Sequence, residues 1–292
     1  MVQSWKGKQL DKIILSEYYQ NQAVIVIYEH ILNANKRFGT DSTNIVDSVF
    51  HCEPEMIQSN VIIAPLWKSE LFSGYSEGII QNSDGIFKMW TLSAAGIKIT
   101  YIVTGMGASN VIDVTLALGC TPCRKIIFIG SVGALDKNIK IGDIVIPEYS
   151  ISGDGACRYL TNKKLTENDT FGEKNYPNKN LFDKVISKTK EIAAKNSVNY
   201  HIGKNFSIDT IIAQFAHIDE IMGMGCNCIE METSALFKSA EICAINAGAV
   251  FSVSDNTILK KSLLSGVTEE EINYEKNARK NILTKIVIDS FL

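Results

Sequence analysis

No apolar run in the sequence approaches the roughly 20 residues that a membrane-spanning helix needs. The first ten residues, Met1 to Leu10, are polar and mixed in charge, without the apolar stretch of a secretory signal. These two absences predict a cytosolic (cytoplasmic) protein with no membrane partner. Charge of one sign is also missing: 29 Lys and Arg stand against 32 Asp and Glu, a formal net charge of -3. A chain so balanced has no bulk attraction to nucleic acid or to an anionic surface, so no nucleic-acid partner is expected. Histidine is scarce, with four in the chain. Seven cysteines, an odd number in 292 residues, do not describe a disulfide framework. Cys120 and Cys123 form a Cys-x-x-Cys pair, but the chain has no second pair and His51, the nearest histidine in sequence, is far away. Free, partly buried thiols are the simpler reading, for Cys226 and Cys228 as well, and no metal site is expected. Repeats and low-complexity tracts are absent.

The chain has 46% hydrophobic and 21% charged residues, enough for one large core or a core plus an appendage. Residues 1–58 differ in pattern from the rest of the chain. Asp11 to Arg37 has helical periodicity, with Ile14, Tyr18, Val24, Ile27, Ile31 and Leu32 as inward positions, and Gly39 to Asn44 reads as a loop. This is predicted to be a mostly helical N-terminal extension, which can cover a core edge or contact a neighbouring subunit. Beyond it, short apolar runs alternate with helical stretches. Val61–Ala64, Ile97–Val103, Lys125–Ile129, Asp143–Ile146, His201–Phe206, Asn227–Met231 and Ala249–Ser254 read as strands. Ser109–Leu118, Leu181–Lys195, Glu232–Ala247 and Glu269–Leu292 read as helices, the last with acids first and bases later, as the helix dipole favours. Thr161 to Asn180 is polar and is expected to be a long mobile loop. The alternation argues for an α/β domain around a central sheet.

Four segments carry chemistry. Thr104-Gly105-Met106-Gly107-Ala108-Ser109 joins a strand to a helix, where glycines let backbone approach an anion and the helix offers free N–H groups. A tight turn without a ligand is the other reading; a dinucleotide site would need glycine at Asn110. Gly130-Ser131-Val132-Gly133-Ala134 ends another apolar strand, and Gly142-Asp143-Ile144-Val145 comes after it. Two glycine turns at strand ends suggest one shared cleft, with Ser131 as a hydroxyl donor. Glu230 and Glu232, two apart on a strand, share a face where the chain becomes a helix. Like charges so close need donors, and a sugar diol supplies them; a solvated strand end, with Thr233 or Ser234 capping the helix, is the alternative. Asp255, at the end of a strand, either shares a proton with a leaving group or caps a turn.

Gly105-Met106-Gly107, Gly130-Ser131-Val132-Gly133-Ala134 with Gly142-Asp143-Ile144-Val145, Glu230-Met231-Glu232 and Ser254-Asp255 occur in order. Together they resemble the nucleoside phosphorylase superfamily, which includes purine nucleoside phosphorylase, uridine phosphorylase and methylthioadenosine nucleosidase. Gly153-Asp154-Gly155-Ala156-Cys157 also resembles a uridine phosphorylase segment. The match runs from about Val61 to the C-terminus. The resemblance implies a single α/β domain at 59–292 with a mixed, partly barrel-like central sheet flanked by helices, and the helical extension at 1–58. It implies an enzyme that breaks the N-glycosidic bond of a purine-type nucleoside. Glu232, Met231 and Glu230 would hold the sugar. Gly105, Met106, Gly107 and Ser131 would lie by the phosphate or nucleophile. Val132, Gly133, Ile229 and Gln214 would face the base, with Asp255 opposite N7. Neither a metal nor an organic cofactor is implied, only phosphate or water as co-substrate, and the chain is expected to form a homo-oligomer.

Two departures bear on the nucleophile. Phosphorolytic relatives carry a Gly-Asp-Pro-x-Arg turn after the first strand; here the stretch is Ala64-Pro65-Leu66-Trp67-Lys68-Ser69. They also carry an arginine three residues before the serine, where Phe128 stands. Lys68, Arg158 or a neighbouring subunit's basic residue, such as Arg37, are candidate substitutes. Glu70 stands near the place where hydrolytic relatives keep a glutamate that activates water. Phosphate is the expected nucleophile, because the wider family is phosphorolytic. Hydrolysis is the alternative, and a nucleoside-binding protein without turnover is the reading of another class.

Overall fold

The computed structural model describes residues 26–83 and 85–292. Ile14, Tyr18 and Val24 of the expected N-terminal helix lie outside the described residues.

Strands β1 (Asn60–Ala64), β4 (Ile97–Val103) and β5 (Lys125–Ala134) form the middle of a mixed sheet, β1 lying parallel to both others. Their near-unbroken apolar runs follow from burial on both faces. Val61 and Ile63 enter one hydrophobic cluster, with Phe128, Val132 and Phe251; Ile62 and Ala64 enter a second, with Ile127 and Ile129. β6 (Ile144–Ser152), β8 (Tyr200–Ser207), β9 (Cys228–Glu230) and β10 (Asn246–Asn256) continue the sheet. β10 pairs with β6 on one side and with β5 on the other, which closes β5, β9, β8, β6 and β10 into a ring. The architecture is thus a single α/β domain with a barrel-like mixed sheet.

Helix α1, over residues 26–37, rests on the body through Tyr28, whose hydroxyl donates to the Leu116 carbonyl at 2.7 Å. α2 (Ser42–Phe50) begins at a capping box of Asp41 and Asn44, and it sinks Val46 and Phe50 into the main core. A helix therefore begins within the segment expected as a loop at Gly39 to Asn44 and runs beyond it. α2, α3 (Ala108–Leu118) and α6 (Thr233–Ile242) contribute to the first cluster. α4 (Lys179–Asn196) and α8 (Thr284–Phe291) pack into the second. α5 (Ile218–Gly223) is a short turn of helix before β9.

Several expectations need correction. β2 (Gly78–Ser83) and β3 (Lys88–Ala94) form an antiparallel wing beside β4 that the apolar runs did not announce. The β3–β4 turn is Ala95-Gly96, both with positive φ (51° and 77°), a hairpin corner that lacks the usual Asn-Gly signature. α6 stops at Ile242, not at Ala247, because Ala244 adopts a left-handed conformation (φ 54°) and β10 starts at Asn246. The expected C-terminal helix is in three parts: α7 (Glu269–Asn277), a π-helical turn (Ala278–Leu283) and α8. The turn buries Ala278, Ile282 and Leu283, so the core demands a wider turn than an unbroken α-helix gives. The Thr161 to Asn180 loop is pinned part-way by β7 (Lys174–Asn175), which pairs with β6. No helix among the described residues is long and apolar enough to cross a membrane.

Candidate active site

β5 changes neighbour along its length. β1 pairs with it up to Phe128, and β9 pairs with it from Gly133 onward. The stretch between has no partner on that side, so the sheet forks there. A cavity of about 240 Å³ occupies the fork. Its walls are Gly130, Ser131 and Gly133 of β5, Pro65, Leu66 and Trp67 after β1, Ile229 to Glu232, Ser254 and Asp255, with Met106, Ile208, Ile211, Gln214 and Leu263.

Asp255 enters through an irregularity in β10, whose register against β5 shifts between Val253 and Asp255. Its side chain is 3% exposed, and the Ser254 hydroxyl donates to its Oδ1 at 2.7 Å. Burial pushes its carboxyl above the usual carboxylate range, with Ser254 and the Leu263 backbone pulling the other way. Gly133 is required for this approach: a Cβ there would stand 3.2 Å from Asp255 Oδ2 and 3.2 Å from Ile229 Cγ2.

Glu230 and Glu232 both line the cavity, but they have different work. Glu230 accepts the Ser207 hydroxyl on one oxygen, and on the other the N–H groups of Glu232 (2.9 Å) and Thr233 (2.8 Å). It thus caps α6, the task the sequence suggested for Thr233 or Ser234. Glu232 accepts a single described hydrogen bond, from the Gly107 N–H at 2.7 Å. Burial, then the neighbouring Glu230, push Glu232 up to about 8. Burial raises Glu230 too, against its several donors. Of the pair, Glu232 is the better holder of a proton, because donors already satisfy both oxygens of Glu230.

The bond from Gly107 to Glu232 changes the expected role of the first glycine turn. Gly105 and Gly107 have positive φ (73° and 104°), and Gly107 is the N-cap of α3. Its N–H, the group that would meet an outside anion, is given to the protein's own carboxylate. Met106 lines the cavity; Gly105 and Gly107 do not. Ser131, Gly133, Ile229, Met231 and Gln214 line it as well. Val132 does not: its side chain lies in the core, because alternation along β5 turns it away from Ser131. Ile208, Ile211 and Leu263 line the cavity and were not anticipated. Leu263 lies in a loop with no periodicity to mark it.

Among the described residues, no Lys, Arg or His lines the cavity. Phe128, at the place of the second arginine, is fully buried against Phe251 with ring centroids 5.7 Å apart. Lys68, Glu70, Arg158 and Arg37 are exposed and lie outside the lining. Asp154 is a structural carboxylate, held by Ser152, Ser234 and the Cys157 N–H and lowered by those bonds against burial. The described residues hold no cluster of His, Cys, Asp and Glu arranged for a metal ion, and all seven cysteines are free.

A family model described as the phosphorylase superfamily matches residues 75–287. The chain belongs to the phosphorylase superfamily. It is therefore a nucleoside phosphorylase-like enzyme. It is 26% identical over 196 residues to a DeoD-type purine nucleoside phosphorylase of Anoxybacillus flavithermus, covering 67% of this chain and 76% of the relative. Its likeness to the one of Geobacillus stearothermophilus is 25% over the same shares. Among solved structures, purine nucleoside phosphorylase from Toxoplasma gondii in complex with immucillin-H superimposes with a TM-score of 0.65 at 16% identity, covering 81% of this chain and 92% of that one. Uridine phosphorylase from Vibrio fischeri ES114 gives 0.64 at 16%, covering 80% and 91%. At such identities these two structures speak for the fold alone.

Proposed function

We propose that this enzyme cleaves the N-glycosidic bond of a purine-type nucleoside, with water as the nucleophile. The observation that carries the reading is a cavity shared by Asp255 and Glu232 and lined by no cation among the described residues. When the C1′–N9 bond breaks, its electron pair leaves with the base. Asp255, whose carboxyl burial raises, donates a proton to N7 and neutralises that charge. Glu232 holds the ribose hydroxyls, whose donors take the place of the proton that burial otherwise keeps on it. Water attacks C1′, and its proton passes to solvent. Help from an acid of this kind is worth on the order of 10²- to 10⁴-fold.

Water is favoured over phosphate on electrostatic grounds. A phosphate dianion here would face carboxylates with no arginine to grip it. Phosphorolysis is the second reading, supported by the DeoD-type relatives, and it requires a cation from outside this lining, such as one from a second copy in a homo-oligomer. Incubation with adenosine and inosine, with and without inorganic phosphate, separates the two. Free base and reducing sugar without phosphate support hydrolysis. Product that appears only with phosphate replaces it with phosphorolysis, and stable nucleosides in both arms leave a binding protein.

A further inference from the structure

Trp67 stands at the arginine position of the Pro-x-Arg pattern, since Pro65-Leu66-Trp67 occupies that turn. The structure shows an anchored ring there. The buried Tyr101 donates its hydroxyl to the Trp67 carbonyl at 2.8 Å. Tyr101 is itself held edge-on by Phe72 (5.7 Å between centroids) and by Trp90 (6.2 Å). Arg279, from the π-helical turn, sets its guanidinium 4.9 Å from the Trp67 ring centroid. Glu275 steadies that guanidinium at 3.8 Å and in turn accepts the Ser252 hydroxyl of β10 at 2.6 Å. Trp67 lines the cavity and Arg279 does not. Its neighbours in the wall, Pro65, Leu66 and Met106, bring no charge. Glu230, Glu232 and Asp255 are the charged residues of the lining, and the N–H of Gly107 is already taken.

We propose that Trp67, fixed by Tyr101 and Arg279, determines ligand class: it gives the cavity an aromatic face in place of an anion grip. The site then takes an uncharged nucleoside by ring contact and shuts out inorganic phosphate and nucleoside phosphates. Arg279 is a positioning residue that acts through the ring, and a cation resting on one face restricts the ring's rotation. The nucleoside half of this assignment rests on the function proposed above; the exclusion of anions does not.

Calorimetric titration of the full chain with adenosine, AMP and inorganic phosphate tests it without depending on turnover. The wild type binds adenosine and gives no heat with AMP or phosphate. Trp67→Ala weakens adenosine by roughly tenfold or more, as loss of an aromatic stacking partner does, and Trp67→Phe restores most of it. Arg279→Leu weakens adenosine by a smaller factor, roughly threefold to tenfold. Trp67→Arg gains phosphate binding. Melting curves verify that each variant folds, and Trp67→Phe carries the comparison if Trp67→Ala does not. Phosphate or AMP binding by the wild type, no adenosine binding, or equal adenosine affinity in wild type and Trp67→Ala overturns the assignment. Adenosine bound in this pattern but never cleaved rejects the proposed reaction and leaves this assignment standing.

Discussion

Glu230, Glu232 and Asp255 stand along the side of the cavity built by β9, α6 and β10, whereas Pro65, Leu66 and Trp67, from the turn after β1, bring no charge to it. The first side is held by directed bonds. Each carboxylate has lost water and received donors in return: Ser207 and two backbone N–H groups for Glu230, Gly107 for Glu232, Ser254 for Asp255. The second side is held by shape, through Tyr101 and Arg279 behind Trp67. Directed bonds fail when one atom moves or one proton changes place. An apolar wall fails only when its volume changes. The two sides should therefore respond differently to small substitutions.

The largest effect is expected at Asp255. Asp255→Asn removes the acid and keeps the shape, so kcat/KM for a purine nucleoside falls by on the order of 10²- to 10⁴-fold while the melting temperature changes little. An activity within a factor of a few of wild type would show that the carboxylates do not serve the leaving base. Next is Gly133→Ala, whose new methyl meets Asp255 Oδ2 and Ile229 Cγ2 at 3.2 Å each. A displacement of that carboxylate by a fraction of an ångström is expected to lower kcat by roughly 10- to 100-fold. Single-turnover kinetics read this directly.

Glu232 supplies a pH test. Its carboxyl is raised from 4.5 to about 8 in the folded protein, by burial first and by Glu230 second. Between those values the folded state binds more protons than the unfolded chain, so stability falls as pH rises through that window. Glu232→Gln removes this slope. In melts of the ligand-free protein the variant matches the wild type near pH 4 and exceeds it by on the order of a few degrees at pH 8. A parallel pair of curves would mean that Glu232 titrates in the folded protein as it does in the unfolded chain. The smallest effect is expected on the apolar side: Met106→Leu conserves volume and should change KM by less than about tenfold. A larger loss there would remove the contrast between the two sides.

Much of the fold was legible because its strands are buried on both faces. Val61 to Ala64 and Lys125 to Ile129 show as unbroken apolar runs, and the glycine turn after β4 marks a strand end by composition; Gly130 to Ala134, expected as a turn at a strand end, instead continues β5, because it stays paired with β10. β2 and β3 were hidden because one wing of the sheet is half exposed. Ile79 and Ile80 are a run of only two, with Ile80 exposed, and buried Leu92 sits between Thr91 and Ser93 in an alternation too brief to stand out. At the site, Asp255 and Glu232 were readable from their places at strand ends. The capping role of Glu230 was not, since strand parity says which face a side chain takes and nothing about which N–H groups will meet it. Val132 shows the same limit: its neighbour Ser131 reaches the cavity while it turns into the core.

Local sequence by itself determined the strand and helix types, the absence of a long apolar span, and the glycine-rich corners, because each depends on residues a few positions apart. The family resemblance came from the order of those corners. Only the tertiary structure decided that the Gly107 N–H meets Glu232, 125 residues on, and that Arg279 lies on the Trp67 ring. Those pairings depend on how the sheet forks at β5 and closes through β10. Closure brings distant segments within hydrogen-bonding range, and no pattern of neighbouring residues encodes which donor a buried carboxylate will find.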